Sequence, residues 1–187
     1  MRIIAGTARS LPLKTISGID TRPTTDRIKE TLFNMLNPFL LDSCFLDLYA
    51  GSGQIGLEAV SRGARSAVFV ENSKKAAACI GENIRFTKFT ENCTLLVKDA
   101  VTAIRQMKGA EPFDVVFMDP PYGKGLEEEA LSALADSGLL HEDSVIVVET
   151  ARGMDLSYAC AWGYEITKEK TYKNNQHIFM KFARETV

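Results

Sequence analysis

The sequence predicts an α/β protein: a doubly wound, mainly parallel seven-stranded sheet with helices on both faces, preceded by an N-terminal β-hairpin and helix. Three observations predict it. From Ser43 onward, short apolar runs alternate with stretches of helical spacing. The first run ends in a glycine-rich turn that opens a helix. The last two runs have no helix-length stretch between them and therefore pair antiparallel.

The elements follow in order. Arg2-Ile3-Ile4-Ala5 and Leu13-Lys14-Thr15-Ile16 are extended segments around a turn-rich centre, a short hairpin. Thr24 or Thr25 caps a helix that runs to about Leu36, with Ile28, Leu32, Phe33 and Leu36 on one face. Asn37-Pro38 stops it, because a residue before proline is pushed out of the helical region. Strands are predicted over 44–49, 66–71, 94–97, 113–118 and 144–149, with helices over 54–62, 74–88, 100–107 and 126–136 between them. Strands near 163–170 and 177–183 form the closing hairpin. Right-handed crossovers between parallel strands make this a doubly wound sheet, whose ligands bind beyond the strands' carboxyl ends where the strand order reverses.

Composition excludes several classes. No apolar run approaches the roughly 20 residues that span a membrane. Met1-Arg2-Ile3-Ile4-Ala5-Gly6 lacks the apolar stretch of a secretion signal, so a cytoplasmic protein is expected. Cys44, Cys79, Cys93 and Cys160 are widely spaced, as are His141 and His177, so free thiols and no metal site are expected. The net charge of −2 argues against indiscriminate nucleic-acid binding. Its distribution is uneven, with +3 over residues 1–35 and −5 over the remainder. That basic segment is either a solvated surface or a face for phosphates.

The first strand leads into Asp47-Leu48-Tyr49-Ala50-Gly51-Ser52-Gly53-Gln54-Ile55-Gly56. Gly51, Gly53 and Gly56 match a nucleotide-binding spacing, and Glu71 follows at the distance where an acidic group accepts from a ribose diol. The same glycines could serve helix–strand packing alone, or a nicotinamide or flavin dinucleotide. Asp47 narrows the choice, since its carboxylate repels a pyrophosphate and suits a cationic or hydroxyl-bearing ligand. S-adenosylmethionine fits, with an amino acid end, a ribose, an adenine and no phosphate. Asp99, followed by Ala100, is placed to accept from the adenine amino group. The cofactor-binding candidates are therefore Asp47, Gly51, Ser52, Gly53, Glu71, Asp99 and Ala100.

The fourth strand ends in Asp119-Pro120-Pro121-Tyr122-Gly123. In the usual doubly wound order the first and fourth strands are neighbours, so this loop faces the glycine loop. Two prolines remove backbone donors and stiffen the chain, leaving the Asp119 carboxylate and the Pro120 carbonyl as acceptors. Two acceptors holding the hydrogens of an aromatic amine aim its lone pair and stabilise the charge that builds on nitrogen. Asp119 takes the released proton, directly or through water. Tyr122 stacks on a base that has left its helix or loop. The alternative is a rigid turn after a buried strand. The catalytic candidates are Asp119, Pro120, Pro121 and Tyr122.

These motifs resemble a known family. Gly51-Ser52-Gly53 followed by Asp119-Pro120-Pro121-Tyr122 resembles the amino-methyltransferases of class I, Rossmann-like fold. Arg2-Ile3-Ile4-Ala5-Gly6, Arg22-Pro23-Thr24-Thr25-Asp26-Arg27, Glu30-Thr31-Leu32-Phe33-Asn34 and Leu57-Glu58-Ala59-Val60-Ser61-Arg62-Gly63-Ala64 resemble, more narrowly, the bacterial RsmD family. The resemblance implies transfer of a methyl group from S-adenosylmethionine to the N2 amino group of a guanine in 16S rRNA, in the small ribosomal subunit or its assembly intermediate. It implies one methyltransferase domain over 1–187, with 1–40 as an RNA-facing extension and 41–187 as the core. It also places Arg22, Thr24 and Arg27 at the substrate entrance; Arg22, Arg27 and Lys29 are otherwise ordinary solvated cations. Tyr172-Lys173-Asn174-Asn175-Gln176 departs from the family's glycine-containing turn, and Asn174 or Asn175 would then supply the left-handed residue. Other readings are an adenine-N6 methyltransferase, a dehydrogenase, and a non-catalytic RNA-binding assembly factor.

Overall fold

A computed structural model describes residues 1–16 and 25–183. Its sheet has seven strands in the order β3-β2-β1-β4-β5-β7-β6. They are β1 (Cys44–Leu48), β2 (Ser66–Val70), β3 (Cys93–Leu96), β4 (Val115–Met118), β5 (Val145–Ala151), β6 (Tyr164–Thr171) and β7 (Asn175–Phe182). The first five are parallel, and β7 joins β5 and β6 antiparallel. The neighbourhood of β1 and β4 is the one the sequence implied. Between β6 and β7 the register shifts at Ile166/Lys168, a bulge in the outermost strand.

The helices are α1 (Asp26–Leu36), α2 (Gln54–Ser61), α3 (Lys74–Thr87), α4 (Ala100–Gln106) and α5 (Leu126–Ala135). Thr25 caps α1 by accepting from the Ile28 amide at 3.4 Å. A single 3-10 turn over Asn37–Phe39 extends the stretch beyond the expected stop, since proline fits the first turn of a new helix. Leu32, Phe33 and Leu36 of α1, Leu57 of α2 and Ile80 of α3 pack on one face of the sheet with Phe45, Phe117 and Val147. Ala103 and Ile104 of α4 and Leu131 and Leu134 of α5 pack on the other with Leu46, Val116 and Ile146. Strands covered on both sides are apolar along their length, which explains the uninterrupted apolar runs.

The N-terminal segment turns back on itself as expected, but its ladder is shorter than a hairpin. One antiparallel bridge joins Arg2 and Pro12, flanked by Ile3–Leu11 and Leu13–Met1 backbone bonds. Proline at the bridge has no amide to extend the pairing. The segment is instead held by side chains of α2. Glu58 accepts from the amides of Ile4 at 2.8 Å and Ala5 at 3.0 Å. Gly6 sits so close to the Ser61 carbonyl that a Cβ there would lie 1.7 Å from its oxygen.

Lys29 corrects the sequence reading. It is fully buried rather than solvated, and its ammonium pairs with Glu58 at 3.2 Å and donates to the Arg2 carbonyl. Burial lowers its pKa, and the Glu58 carboxylate opposes that. Among the described residues, no helix is long and apolar enough to cross a membrane.

Candidate active site

The glycine loop is built from three different requirements. Gly51 and Gly53 have φ of +57° and +77°, values that side-chain-bearing residues rarely adopt. Gly56 lies under the Phe69 ring, where a Cβ would come within 2.4 Å. Tyr49, with φ of +61°, adopts the left-handed conformation without being glycine, and its hydroxyl donates to the Leu126 carbonyl at 3.1 Å. A non-glycine residue held this way at a strand end marks a site over-determined by its surroundings.

Asp47 is buried and accepts from the Gly56 amide at 2.9 Å, so its carboxylate caps the start of α2 from below the loop. Glu71 accepts from the amides of Gly51 at 2.9 Å and Ser73 at 2.8 Å, one per oxygen, which leaves lone pairs for a hydroxyl. Ser52 turns its hydroxyl towards the Met1 sulfur, and its carbonyl accepts from Asn83 at 2.9 Å. Asp99 is exposed and caps α4 by accepting from the Thr102 amide at 2.9 Å. Glu71, Asp99 and the buried Ala100 line one small cavity of about 80 Å³ with Tyr49 and Leu126.

Across the β1–β4 boundary, Asp119 stands half-buried at the end of β4 with Pro120 buried behind it. Pro121 and Tyr122 are exposed. The Tyr122 hydroxyl donates to Glu149 at 3.3 Å. Burial first, then the carboxylates of Glu149 and Asp47, raise the Asp119 pKa well above the ordinary carboxylate range. Asp47 is raised to about 7, by burial and by Glu71, against the Gly56 hydrogen bond. Asp47, Glu71, Asp119 and Glu149 are thus electrostatic neighbours near the carboxyl ends of the parallel strands, a place that favours a cation.

Arg27 is exposed in the first turn of α1. Arg22 and Thr24 lie outside the described residues. Among the described residues, no group of three or more His, Cys, Asp or Glu is placed to hold a metal ion, and all four cysteines are free.

The family model described as Conserved hypothetical protein 95 matches residues 1–181. A Haemophilus influenzae protein named Ribosomal RNA small subunit methyltransferase D is 38% identical over 91% of this chain and 88% of that protein. The chain belongs to the RsmD family. The Bacillus subtilis Putative rRNA methyltransferase YlbH is 35% identical over 92% of this chain and 94% of its own. The solved structure titled Putative methyltransferase yhhF from Escherichia coli superposes with a TM-score of 0.85 at 33% identity, covering 98% of each chain.

This RsmD-family chain contains site residues that sequence reasoning missed. Glu149 is nearly buried beside Asp119, with His177 bonded to it at 3.0 Å and Asn175 donating to it as well. From the sequence alone His177 stands isolated. The signal is a histidine in step with Phe179, on the face of β7 that meets Glu149 of β5. Neither Asn174 nor Asn175 takes the left-handed conformation expected of the last turn. Asn175 instead pairs with Ala151 and uses its side chain on Glu149.

The raised Asp47 group has a measurable consequence. A carboxyl whose folded pKa lies above its unfolded value stabilises the fold below the unfolded pKa, and that contribution is lost as pH rises through the folded one. The interval from 3.8 to about 7 corresponds to roughly 4 kcal/mol. The difference in unfolding free energy between Asp47→Asn and the wild type is expected to move in favour of the variant as pH rises from 4 to 8. Urea unfolding across that range measures it, and a flat difference would mean that Asp47 is not buried as a strained carboxylate.

Proposed function

We propose that this chain transfers the methyl group of S-adenosylmethionine to the N2 amino group of a guanine in 16S rRNA of the small ribosomal subunit. The observation that carries the reading is that the glycine loop after β1 and the Asp119-Pro120 acceptor pair after β4 leave adjoining strand ends, among four mutually repelling carboxylates. S-adenosylmethionine fits this donor set. Its ammonium and sulfonium are cations for a crevice whose carboxylates repel one another, its ribose suits Glu71, and it has no phosphate for Asp47 to reject. Gln54 adds a buried side-chain oxygen beside Gly53 with no hydrogen-bond partner among the described residues. When bound, the cofactor supplies an electrophilic methyl group.

The chain's own residues do the rest. The Asp119 carboxyl and the Pro120 carbonyl hold the two hydrogens of the target amine, which fixes the direction of its lone pair. Positive charge developing on that nitrogen is stabilised by the Asp119 carboxylate. Asp119 then accepts the proton that the nitrogen must lose, a task suited to its raised pKa. The exposed Tyr122 ring stacks on the base, the exposed Arg27 offers a cation to the RNA, and the family resemblance adds Arg22 and Thr24 as substrate-binding residues. The names of the similar proteins support rRNA of the small subunit, and the family resemblance supports guanine N2 over adenine N6.

The test is incubation with radiolabelled S-adenosylmethionine and small subunits prepared without the modification, followed by mapping of the labelled nucleotide. A single N2-methylguanine is expected. Label on adenine N6, or binding of dinucleotides in preference to S-adenosylhomocysteine, would replace this reading.

A further inference from the structure

Glu149 of β5 pairs with His177 of β7, and Asp119, the residue after β4, is the electrostatic neighbour of Glu149. The proposed chemistry uses Asp119 directly, leaving the other two as a buried acid and imidazole beside Val147, Phe117 and Phe179. Glu149 is 5% exposed and His177 fully buried. Such groups are costly to desolvate unless every polar atom finds a partner.

Here each one does. Glu149 Oε1 accepts from the Tyr122 hydroxyl at 3.3 Å and from Asn175, while Oε2 meets His177 Nε2 at 3.0 Å. His177 Nδ1 faces the Tyr172 hydroxyl at 3.4 Å. The imidazole is further fixed by edge contacts with the rings of Phe117 and Tyr172, at centroid distances of 6.1 Å and 5.1 Å. With Nε2–H donating to the carboxylate, Nδ1 accepts from the Tyr172 hydroxyl, so the tautomer is set by the partners. One line of hydrogen bonds therefore runs from the β6–β7 turn to the loop after β4.

The far end of that line needs holding. Tyr122 is followed by Gly123 and Gly125, both with positive φ and both in open space, so the loop backbone does little to orient the ring. The ring is 45% exposed, and its hydroxyl is anchored on Glu149.

We propose that Glu149, seated by His177 and Asn175, is a positioning residue that holds the Tyr122 ring in the attitude in which it stacks on the target base. The inference rests on the proposed function only for the identity of the ring's partner. A pair that served the fold alone would sit between strands and have no bond to an exposed loop residue.

Glu149→Ala, Glu149→Gln, Tyr122→Phe and the double variant Tyr122→Phe/Glu149→Ala are to be compared with S-adenosylmethionine and unmodified small subunits as substrates. Tyr122→Phe keeps the ring and loses the anchor; it is expected to lower kcat/KM for subunits about tenfold while S-adenosylhomocysteine affinity stays within about twofold. Glu149→Ala is expected to do the same, Glu149→Gln to recover most of the loss because it retains an acceptor oxygen, and the double variant to be no worse than Tyr122→Phe alone. Wild-type behaviour of Tyr122→Phe overturns the proposal even if Glu149→Ala fails to fold, and so do losses that multiply in the double variant. A wild-type protein inactive on subunits would instead count against the proposed function. In that event NMR cross-peaks between the Tyr122 ring and the Asn175 side-chain amide decide the anchor: present they support it, absent they overturn it.

Discussion

Replacing Asp119 with alanine is expected to lower kcat for methyl transfer by about 10²- to 10³-fold, the usual cost of removing one preorganised group that stabilises developing charge. Affinity for S-adenosylhomocysteine should change little, because the glycine loop, Glu71 and Asp99 are untouched. Asp119→Asn should lose less than Asp119→Ala. Asparagine reproduces the shape of the side chain and keeps one acceptor oxygen. What asparagine cannot do is take up the proton, so its remaining rate reports the share carried by geometry. Single-turnover transfer to small subunits measures both variants. If Asp119→Ala retained wild-type kcat, the acceptor pair would have to be sought elsewhere.

Glu58→Ala is expected to be the most damaging change to stability, at about 3–5 kcal/mol, the range for removing one partner of a buried ion pair. Glu58 is fully buried and serves four partners: the amides of Ile4 and Ala5, Lys29 at 3.2 Å and Arg62 at 2.8 Å. Alanine strands the Lys29 ammonium in the core and leaves two amides unsatisfied. Lys29→Met should cost less, because Glu58 would keep Arg62 and both amides, and methionine would fill the volume. Arg62 is itself steadied over the Phe33 ring at 4.9 Å. Denaturant unfolding of the two variants is the check. Lys29→Met as costly as Glu58→Ala would show that the lysine, not the carboxylate, organises the cluster. The loss should also reach the site, since α2 carries Glu58 on its inner side and begins at the glycine loop.

Local features of the chain account for what could be read from sequence. β1, β2, β4 and β5 are short apolar runs because both sheet faces are covered, and their limits fell within a few residues of the expected ones. Gly51, Gly53 and Gly56 announced the loop because no other residue fits their backbone or their neighbours. Asp119 to Tyr122 stood out because two prolines after a buried strand are unusual. What escaped was set by contacts between distant segments. Lys29 reads as a surface cation in its own helix, and Glu58 on another helix and the Arg2 carbonyl draw it inward. Glu149 and His177 meet because β7 pairs with β5 in one particular antiparallel register, which neither strand specifies alone. The bond from the Gly56 amide to Asp47 likewise depends on how the loop folds back over the strand end.

The bulge at Ile166/Lys168 has a bearing on solubility. β6 is one of the sheet's two margins, and a margin offers bare amides and carbonyls on which another copy could be templated into a continuous ribbon. Thr167 interrupts the repeat there, giving its hydroxyl to the Phe179 carbonyl at 3.2 Å, and exposed Lys168, Glu169 and Lys170 follow in succession. An incoming copy would meet a skewed, charged border in place of a flat apolar one, so this side of the sheet is guarded against self-templated aggregation.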